Sequence, residues 1–258
     1  MEPTRFSCES EVGHTTWLEE VDSTNRFLSG RPSGADSAIV LSWHQTGGRG
    51  RLGREWVSAR NKSLAMSVEL WRETIPSEIG AEWVGSLSLL AAASLASAIR
   101  PHVQSTVSIK WPNDVLVGGK KVAGVLGEVA ADGRVIVGVG LNVFLQADDL
   151  PGPYATSLSL HELSGPSAPA SIVHSFLRAL KDSVQGTASG LDAGKLSWVK
   201  EQVDTLGSRV RVEHSENVSR TGRAVDIAPS GALLVHFDDV DRVEEVMVGD
   251  VWHLRPIS

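Results

Sequence analysis

The sequence predicts an α/β (α+β) fold, with a domain of helices and β-strands over residues 1–203 and a small β-barrel domain over residues 204–258. Two observations predict this division. Apolar strand-like runs alternate with helical stretches up to residue 203, whereas only short strands follow residue 206. Tight glycine turns between the apolar runs of the first part indicate hairpins. That part of the sheet should therefore be antiparallel, which disfavours a classical dinucleotide-binding fold.

The first third of the chain is predicted to hold three strands and one short helix. Strands are expected at residues 15–21, 38–43 and 63–70. The polar cluster Asp22-Ser23-Thr24-Asn25 supplies helix N-cap residues before a brief helix. Its hydroxyl and amide groups are also suited to binding a small polar ligand, and the local sequence leaves both roles open.

The middle of the chain is predicted to be a core helix followed by hairpins. Residues 81–100 are rich in Ala and Leu and end before Pro101, which is typical of a buried helix. Glycine turns at 118–119 and 132–133 then separate apolar runs at 106–110, 114–117, 121–129 and 134–143. From residue 170 to about 203, apolar side chains recur at helical spacing.

The last part of the chain has the pattern of a small barrel. Five short strands are expected at 209–213, 222–227, 231–237, 245–248 and 250–254. Turn residues at Pro229-Ser-Gly231 and Gly249-Asp250 separate some of these strands. Short strands with tight turns between them favour a closed or nearly closed sheet.

Composition excludes several classes of function. A net charge of -7, from 24 basic and 31 acidic residues, argues against a nucleic acid or an anionic membrane as the partner. The single cysteine, Cys8, excludes an internal disulfide framework and fits a reducing compartment. We place Cys8 in a flexible N-terminal tail and expect no catalytic use of it. With no signal peptide and no apolar run of membrane-spanning length, a cytoplasmic protein is predicted. The scattered histidines indicate no structural metal.

The segment of residues 45–56, Gln-Thr-Gly-Gly-Arg-Gly-Arg-Leu-Gly-Arg-Glu-Trp, carries the strongest functional signal. It packs four glycines and three arginines into twelve residues. Glycines let backbone N–H groups face a ligand, and guanidinium groups bind carboxylate or phosphate oxygens. Composition alone fits a solvated linker equally well. A strand runs directly into this segment, however, which favours a functional loop. It lacks the Gly-Lys-Ser/Thr ending of a P-loop.

Three further clusters are weak signals individually. Lys110-Trp-Pro-Asn-Asp114 fits a plain hairpin connection, and the lysines of Gly119-Lys-Lys-Val-Ala-Gly124 fit a solvated turn. The glycines of Gly138-Val-Gly-Leu-Asn142 interrupt a strand, which often marks the close approach of a ligand or another backbone. Together with the arginine loop, these clusters indicate a site for a nucleotide and a carboxylate.

The order of these motifs resembles that of the biotin–protein ligases, or biotin–[acetyl-CoA-carboxylase] ligases. The resemblance covers nearly the whole chain and departs at Leu52, where the loop often carries a polar or basic residue. About twenty residues precede Asp22. A helix-turn-helix domain needs on the order of fifty, so we expect the stand-alone enzyme and not the bifunctional repressor. The motifs are Asp-Ser-Thr-Asn at 22–25, Gln45, Gly-Arg-Gly-Arg-x-Gly-Arg at 48–54, Trp56, Lys-Trp-Pro-Asn-Asp at 110–114, Lys-Val-Ala-Gly at 121–124 and Gly-Val-Gly-Leu-Asn at 138–142.

The resemblance implies a fold and a reaction. It implies a mixed-sheet catalytic domain like that of class II aminoacyl-tRNA synthetases, followed by an SH3-like domain. Biotin and ATP, the latter with Mg²⁺, would form biotinyl-5'-AMP. A lysine of a biotin carboxyl carrier domain, part of a biotin-dependent carboxylase, would then accept the biotinyl group.

The resemblance also implies roles for individual residues. Lys121, Arg49 and Arg51 would stabilise the charge that develops during adenylation. Trp56 would cover adenine, Gly124 and Gly140 would leave room for the ligand, and Asp114 would orient the acceptor lysine. The loop of residues 47–56 would be mobile and close over the adenylate. Biotin contacts are expected from Ser23, Thr24, Asn25, Gln45, Gly48, Arg49, Gly50, Arg51, Lys121 and Gly124. ATP contacts are expected from Arg49, Arg51, Arg54, Trp56, Lys110, Asn113, Lys121 and Asn142.

Two alternative functions remain open from the sequence. The first is a lipoate or octanoate ligase of the same fold, whose acyl group lacks the ureido ring of biotin. The second is a non-catalytic module in which the barrel recruits a protein and the first domain senses a ligand. Monomer and homodimer are both open, because an exposed sheet edge can pair two copies or remain solvated. We expect the barrel to help hold ATP or the acceptor domain.

Overall fold

The computed structural model describes residues 3–8, 14–32, 38–70, 74–75, 78–187, 190–215, 218–247 and 253–256. Its centre is a mixed seven-stranded sheet with the order β1-β2-β5-β9-β8-β7-β6. The strands are β1 (His14–Leu18), β2 (Ala38–Ser42), β5 (Ser63–Glu69), β6 (Val107–Lys110), β7 (Asp114–Val117), β8 (Lys120–Val129) and β9 (Val135–Asn142). Strands β3 (Gly48–Arg49) and β4 (Glu55–Trp56) form a separate small hairpin.

The pairing of the strands explains why the sheet is mixed. Strands β1 and β2 are parallel, and the pairs from β2 to β6 across the sheet are antiparallel. The antiparallel hairpins predicted from the two glycine turns are thus confirmed. Gly118, Gly119 and Gly133 all have positive φ angles, which tight turns require and L side chains rarely adopt. The antiparallel pairing in this half of the sheet therefore follows from the local sequence of the turns.

Within the described ranges, four α-helices accompany the two sheets: α1 (Thr24–Ser29), α2 (Ala81–Ile99), α3 (Ala168–Val184) and α4 (Ala193–Lys200). Helices α2 and α3 pack together, and α2 covers β6, β7 and β8. Residues 83–102, which include most of α2, are long and apolar enough to cross a membrane. The sequence-based expectation that no such segment exists was therefore wrong. Of the apolar window in this segment, however, 83% is buried inside the protein. Its apolar surface is therefore accounted for by the core of the fold.

Two expectations from the sequence need correction. The helical pattern predicted over residues 170–203 is two helices, because Gly186 and Gly190 adopt positive φ angles between α3 and α4. Cys8 is not in a flexible tail: it is completely buried in the core, and its backbone N–H donates to Thr15 Oγ1 at 2.9 Å. A buried thiol of this kind is a packing residue.

The last part of the chain forms an antiparallel five-stranded sheet with the order β13-β12-β11-β10-β14. This arrangement agrees with the small all-β domain predicted from the sequence. Parts of the last two predicted strands, at residues 248–252, lie outside the described residues. The strands are β10 (Arg209–Ser215), β11 (Val218–Ile227), β12 (Leu233–Phe237), β13 (Val243–Val246) and β14 (His253–Pro256).

The two sheets are joined through strand β6 and the residue that follows it. Residues 202–204 run beside β6, where the Ile109 N–H donates to Gln202 O at 2.8 Å and its carbonyl accepts from Asp204 N at 3.0 Å. Trp111 is 1% exposed, and its indole N–H donates to the Gly231 carbonyl at 3.0 Å. The Lys110–Asp114 motif therefore lies at the junction of the two parts of the chain.

Candidate active site

A cleft opens on the face of the central sheet that is turned away from α2. Side chains alternate between the two faces of a strand. In β8, a Cβ atom on Gly127 would meet Leu87 and Ser88 of α2, whereas a Cβ atom on Gly124 would meet Lys121 and Trp56. The cleft is bounded by α1, the β3–β4 hairpin and the β6–β7 connection. Fifteen sequence-predicted residues line it: Ser23, Thr24, Asn25, Gln45, Arg49, Gly50, Arg51, Arg54, Trp56, Lys110, Asn113, Asp114, Lys121, Gly124 and Gly140.

Two other predicted residues lie behind or beyond the cleft. A Cβ atom on Gly48 would lie 2.4 Å from Gln45 Nε2 and 2.7 Å from the Trp56 carbonyl oxygen, so this glycine allows close packing beneath the site. Asn142 is 3% exposed and donates through Nδ2 to the Thr156 carbonyl at 3.0 Å. Its Oδ1 lies 3.4 Å from the Ser63 hydroxyl. The geometry therefore gives no support to the nucleotide contact predicted for Asn142.

One end of the cleft is a network of neutral polar side chains. Ser23 caps helix α1 and also lines the cleft, so its capping role is compatible with the ligand-binding role predicted for this cluster. Gln45 Oε1 accepts hydrogen bonds from the backbone N–H of Thr24 at 2.9 Å and from its hydroxyl at 3.1 Å. This arrangement fixes the Gln45 amide with its oxygen toward α1. The amide nitrogen is thereby left to act as a donor.

Two members of this network were missed from the sequence. The Ser67 hydroxyl donates to Asn25 Oδ1 at 2.5 Å and lies 2.7 Å from Thr24 Oγ1. Asn25 Nδ2 in turn donates to Glu128 Oε2. A serine within the apolar strand β5 was an available signal for Ser67. Glu128, which is exposed near the end of β8, gave none.

The other end of the cleft is cationic. Five cationic side chains line the cleft, with Glu55 and Asp114 as the carboxylates among its lining residues. Burial and, to a smaller degree, the charge of Arg54 lower the pKa of Arg51, while Asp114 acts in the opposite direction. A half-buried guanidinium group beside a second, exposed one favours an anionic ligand, which would relieve their repulsion. The five are Arg49, Arg51, Arg54, Lys110 and Lys121.

Lys121 lies in the cleft between Asp114 and Trp56. Its Nζ atom is 2.5 Å from Asp114 Oδ1 and 5.5 Å from the centre of the Trp56 ring. Its backbone N–H donates to the Tyr154 carbonyl at 2.8 Å, and its carbonyl accepts from Thr156 N at 2.8 Å. The backbone of Lys121 is therefore held on a strand, while its ammonium group can exchange Asp114 for a ligand oxygen.

Trp56 packs on the floor of the cleft. A Cβ atom on Gly140 would lie 2.2 Å from Trp56 Cε2, and one on Gly124 would lie 3.4 Å from Cζ3. The space expected for a ligand at Gly140 thus accommodates this indole ring. The Trp56 Nε1 atom is buried and finds no hydrogen-bond acceptor in the part of the chain that the structure describes. The β3–β4 hairpin that carries Trp56 is closed by a Gly50 N–H to Arg54 carbonyl bond of 2.7 Å.

Comparison with known proteins agrees with this arrangement. The Biotin/lipoate A/B protein ligase family profile matches residues 17–143, and the Biotin protein ligase C terminal domain profile matches residues 205–254. The chain is 36% identical to the biotin–[acetyl-CoA-carboxylase] ligase of Mycobacterium tuberculosis over 92% of this chain and 88% of that protein. It is 31% identical to the bifunctional ligase/repressor BirA of Bacillus spizizenii, over 90% of this chain and 72% of that protein.

A solved structure shows the same fold. The biotin protein ligase from Aquifex aeolicus, in complex with biotin and ATP, superimposes with a TM-score of 0.75 at 26% sequence identity. The match covers 95% of this chain and 99% of that one, so it includes both sheets. Taken with the relatives above, these similarities show that the chain belongs to the biotin/lipoate A/B protein ligase family and, within it, to the biotin protein ligases.

Proposed function

We propose that the chain is an ATP-dependent biotin–protein ligase. It forms biotinyl-5'-AMP and pyrophosphate from biotin and ATP, and then transfers the biotinyl group to a lysine of a biotin carboxyl carrier domain. The observation that carries this proposal is one cleft with a neutral hydrogen-bonding end at Ser23, Thr24 and Gln45 and a cationic end at Arg51 and Lys121. The M. tuberculosis relative is named as a ligase for acetyl-CoA carboxylase.

The neutral end suits the ureido ring of biotin. This ring has two N–H donors and one carbonyl acceptor, each of which needs a partner when buried. Ser23, Thr24, Asn25 and Gln45 provide hydroxyl and amide groups of both kinds at this end. Gly50, which lines the cleft, would allow the backbone of the hairpin to approach the valeryl chain. The carboxylate of biotin would then point toward Arg49, Arg51 and Lys121.

The cationic end suits the triphosphate. Arg49, Arg51, Arg54 and Lys110 would neutralise phosphate oxygens, and Trp56 and Asn113 would contact the nucleotide. Asn113 already donates to the Val125 carbonyl at 2.5 Å, which holds the β6–β7 connection against β8. Mg²⁺ would enter with ATP as part of the substrate, bound mainly by phosphate oxygens and water, since this ion rarely needs more than one or two protein carboxylates.

The first step requires no nucleophile from the protein. A biotin carboxylate oxygen attacks the α-phosphorus of ATP in line, a C–O–P bond forms, and the bond to the bridging β-phosphate oxygen breaks as pyrophosphate leaves. Lys121 would move from Asp114 to the carboxylate and phosphate oxygens and stabilise the additional negative charge. Catalysis would therefore rest on positioning and electrostatics.

The second step transfers the acyl group. The neutral amine of the acceptor lysine attacks the biotinyl carbonyl carbon, AMP leaves, and the amine loses a proton. Asp114 can orient that amine only after Lys121 has turned to the phosphate, because the two side chains are paired at 2.5 Å in the free protein. Closure of the β3–β4 hairpin would exclude water from the mixed anhydride.

The domains and setting of the enzyme follow from this proposal. Residues 1–203 would form the catalytic domain and residues 204–258 the SH3-like domain, which would support ATP or acceptor binding. We infer a cytoplasmic location, where ATP is available and the lone Cys8 stays reduced. We also infer that the enzyme acts on a carrier protein and not on nucleic acid.

A lipoate or octanoate ligase is the nearest alternative. A simple acyl chain offers no partners to the groups at Ser23, Thr24 and Gln45, so its binding would leave buried polar groups unpaired. A non-catalytic sensor would have no need of Lys121 and three arginines beside the acyl site. Both alternatives therefore predict different outcomes from the experiment below.

The decisive measurement follows radiolabelled biotin onto a carrier domain with and without ATP. We expect labelling only with ATP, and a fall of roughly 100-fold or more in adenylate formation for Lys121→Ala, the usual effect of removing a charge-stabilising group. Lys120→Ala is the matched control, because Lys120 is exposed and lies outside the cleft lining. Transfer of octanoate in place of biotin would identify the alternative ligase, and binding without transfer would identify a sensor.

A further inference from the structure

Asn25 lies where helix α1 meets three strands of the central sheet. Its side chain is 9% exposed and rests on Gly138 of β9, where a Cβ atom would lie only 2.3 Å from Asn25 Oδ1. Ser67 of β5 pairs in register with Gly138, so its hydroxyl reaches the same amide from the next strand. Glu128 of β8 reaches it from the other side. Asn25 is thus held by side chains that belong to neither the helix nor its motif.

The orientation of the Asn25 amide follows from its two partners. A side-chain amide has an acceptor end and a donor end of similar shape, so its orientation depends on what it faces. The Ser67 hydroxyl can rotate, so it can donate a hydrogen bond to the amide oxygen or accept one from the amide nitrogen. The Glu128 carboxylate accepts from Nδ2, and a reversed amide would place two acceptor oxygens against each other. Glu128 therefore determines which end of Asn25 faces which neighbour.

The contacts of Asn25 continue, through Ser67, to the other polar side chains at this end of the cleft. Ser67 lies 2.7 Å from Thr24 Oγ1, and the Thr24 hydroxyl is 3.1 Å from Gln45 Oε1. The chain of contacts that begins at Glu128 thus passes through Asn25 and Ser67 to the Thr24 hydroxyl. The Gln45 amide is oriented separately, by the backbone N–H of Thr24. Neither Glu128 nor Ser67 lines the main cleft, although Glu128 lines a second cavity beside it together with Asn25 and Arg49.

We propose that Glu128 and Ser67 are positioning residues that determine the enzyme's preference for a ureido ring. They hold Asn25 and the Thr24 hydroxyl in one arrangement beside the Gln45 amide, and together these groups are complementary to a head group with two N–H donors and one carbonyl. The inference rests on the proposed biotin chemistry and extends it to residues outside the motifs. Removing the positioning carboxylate lets the Asn25 amide turn, which weakens binding of biotin and leaves binding of ATP as it was.

The first test measures the KM for biotin, the KM for ATP and kcat in adenylate formation for Glu128→Ala and Glu128→Gln. We expect Glu128→Ala to raise the KM for biotin by up to about tenfold, the effect of losing one partly buried hydrogen bond to a charged group. Glu128→Gln keeps an acceptor oxygen and should stay within about twofold of the parent protein. Glu128 is exposed, so its removal leaves no cavity in the core. A merely structural role would change the KM for ATP and kcat as well.

Ser67→Ala provides the second test, with Ser63→Ala as its matched control. Both serines are fully buried on β5, but Ser63 contacts Asn142, outside the cleft. We expect Ser67→Ala to raise the dissociation constant of biotin about tenfold in titration calorimetry. Ser63→Ala should change it by less than about twofold. Equal effects of the two variants would mean that Ser67 contributes only to packing and would overturn its assigned role.

A third measurement compares the biotin affinity of variants in which the facing groups of Asn25 and Glu128 are exchanged. Asn25→Asp places two acceptors opposite each other, and adding Glu128→Gln provides a donor to the new carboxylate. We expect the double variant to bind biotin at least tenfold more tightly than Asn25→Asp alone. If the double variant bound biotin no better than Asn25→Asp, and Glu128→Ala bound biotin normally, the positioning role would be overturned. The proposed ligase function would still stand. A parent protein that makes no biotinyl adenylate would contradict the proposed function as well.

Discussion

Gly140 is a residue whose missing side chain is required by Trp56. A Cβ atom at position 140 would lie 2.2 Å from Trp56 Cε2, a distance that side-chain carbons do not tolerate. The strand cannot move away, because Gly140 pairs with Ala65 on one side and with Gly124 on the other. An added methyl group would therefore displace the indole and the hairpin that carries it.

We expect Gly140→Ala to raise the KM for ATP by about tenfold, because the displaced Trp56 would lose the nucleotide contact that we propose for it. Steady-state kinetics of adenylate formation measures this. Gly152→Ala is the control, since a Cβ atom there meets no atom within 4 Å. In a Trp56→Ala background, Gly140→Ala should have no further effect. An equal additional loss in that background would show that Gly140 acts through another contact.

Site residues were predictable from the sequence where a motif presents them consecutively. Lys121 and the loop arginines belong to such motifs, and the structure brings them to one cleft. Asn142 ends a motif of this kind, yet its amide bonds inside the protein, because the residue pairs with Ser63 and extends toward Thr156. Ser67 and Glu128 come from two separate strands, so only the register of the sheet reveals them.

The β3–β4 hairpin is the element expected to respond to ligand. Its turn contains Leu52, with φ of 57° and a side chain 49% exposed, followed by Gly53 with φ of 72°. A non-glycine residue in the left-handed region is mildly strained. The exposed apolar side chain of Leu52 buries little surface and so does not offset this strain. The hairpin is thus a small element that a ligand can reposition at low cost.

Limited trypsin digestion tests this response. Without ligand we expect cleavage after Arg51 or Arg54, and with biotin plus ATP we expect those sites to be protected about tenfold or more, as loop closure removes the peptide from solvent. Arg242, which is 74% exposed in the C-terminal sheet, provides an internal reference whose cleavage should not change. Equal cleavage at Arg51 in both conditions would mean that the hairpin does not close.

Helix α1 depends on Arg134, which reaches it from the β8–β9 turn. The guanidinium donates to the carbonyls of Leu28, Ser29 and Arg31 at 3.2, 3.0 and 2.8 Å, and it pairs with Glu69 at 3.1 Å. Burial acts to lower the pKa of Arg134, but hydrogen bonds to Asp132 and Glu69 outweigh this effect and raise it. The arginine therefore holds the C-terminal end of the helix that bears Thr24 and Asn25.

We expect Arg134→Ala to lower the free energy of unfolding by about 3 kcal/mol, the usual effect of breaking a buried ion pair. Arg134→Lys should restore only part of this loss, because one ammonium nitrogen with three donors cannot replace three guanidinium nitrogens that bond to five acceptors. Chemical denaturation measures both, with the exposed Arg242→Ala as a control expected to change stability by less than about 0.5 kcal/mol. If Arg134→Ala were as stable as the control, this anchoring role would be incorrect.

The elements themselves show which local signals decide structure. The two glycine turns predicted the hairpins correctly, because positive φ angles are a local requirement of the backbone. The long helical pattern at 170–203 concealed a break, since helical spacing resumes at α4 after Gly190. Cys8 was misplaced for a different reason: its burial depends on contacts between the N-terminal segment and β1, which no local pattern shows.

At the scale of the molecule, Trp111 connects the two parts of the chain. Its backbone N–H donates to Thr205 Oγ1 and its indole N–H to the Gly231 carbonyl, each at 3.0 Å. Gly231 itself packs against α2, where a Cβ atom would lie 2.9 Å from Ser86 Cα. The sequence predicted a boundary near residue 204 but gave no sign that the motif at 110–114 would also contact the C-terminal part of the chain.

We expect the chain to unfold in one calorimetric transition, because this junction makes the two sheets cooperative. Trp111→Ala should lower stability by about 3 to 5 kcal/mol and separate the transition into two. Trp111→Phe is the matched variant: it keeps most of the packing, loses the bond to Gly231 and should retain a single transition. Two transitions in the parent protein would contradict the coupling.

The backbone pairing of residues 202–204 with β6 has a consequence for fragments of this protein. An uncovered strand at the side of a sheet is a template for pairing with other chains and promotes aggregation. Here Gln202 and Asp204 occupy the backbone groups of Ile109 that would otherwise be open. A polypeptide cut before residue 202, by a protease or a premature stop codon, would leave a bare apolar strand. Such a fragment should precipitate instead of persisting as a free catalytic unit, and sedimentation of a chain ending at residue 200 would show this directly.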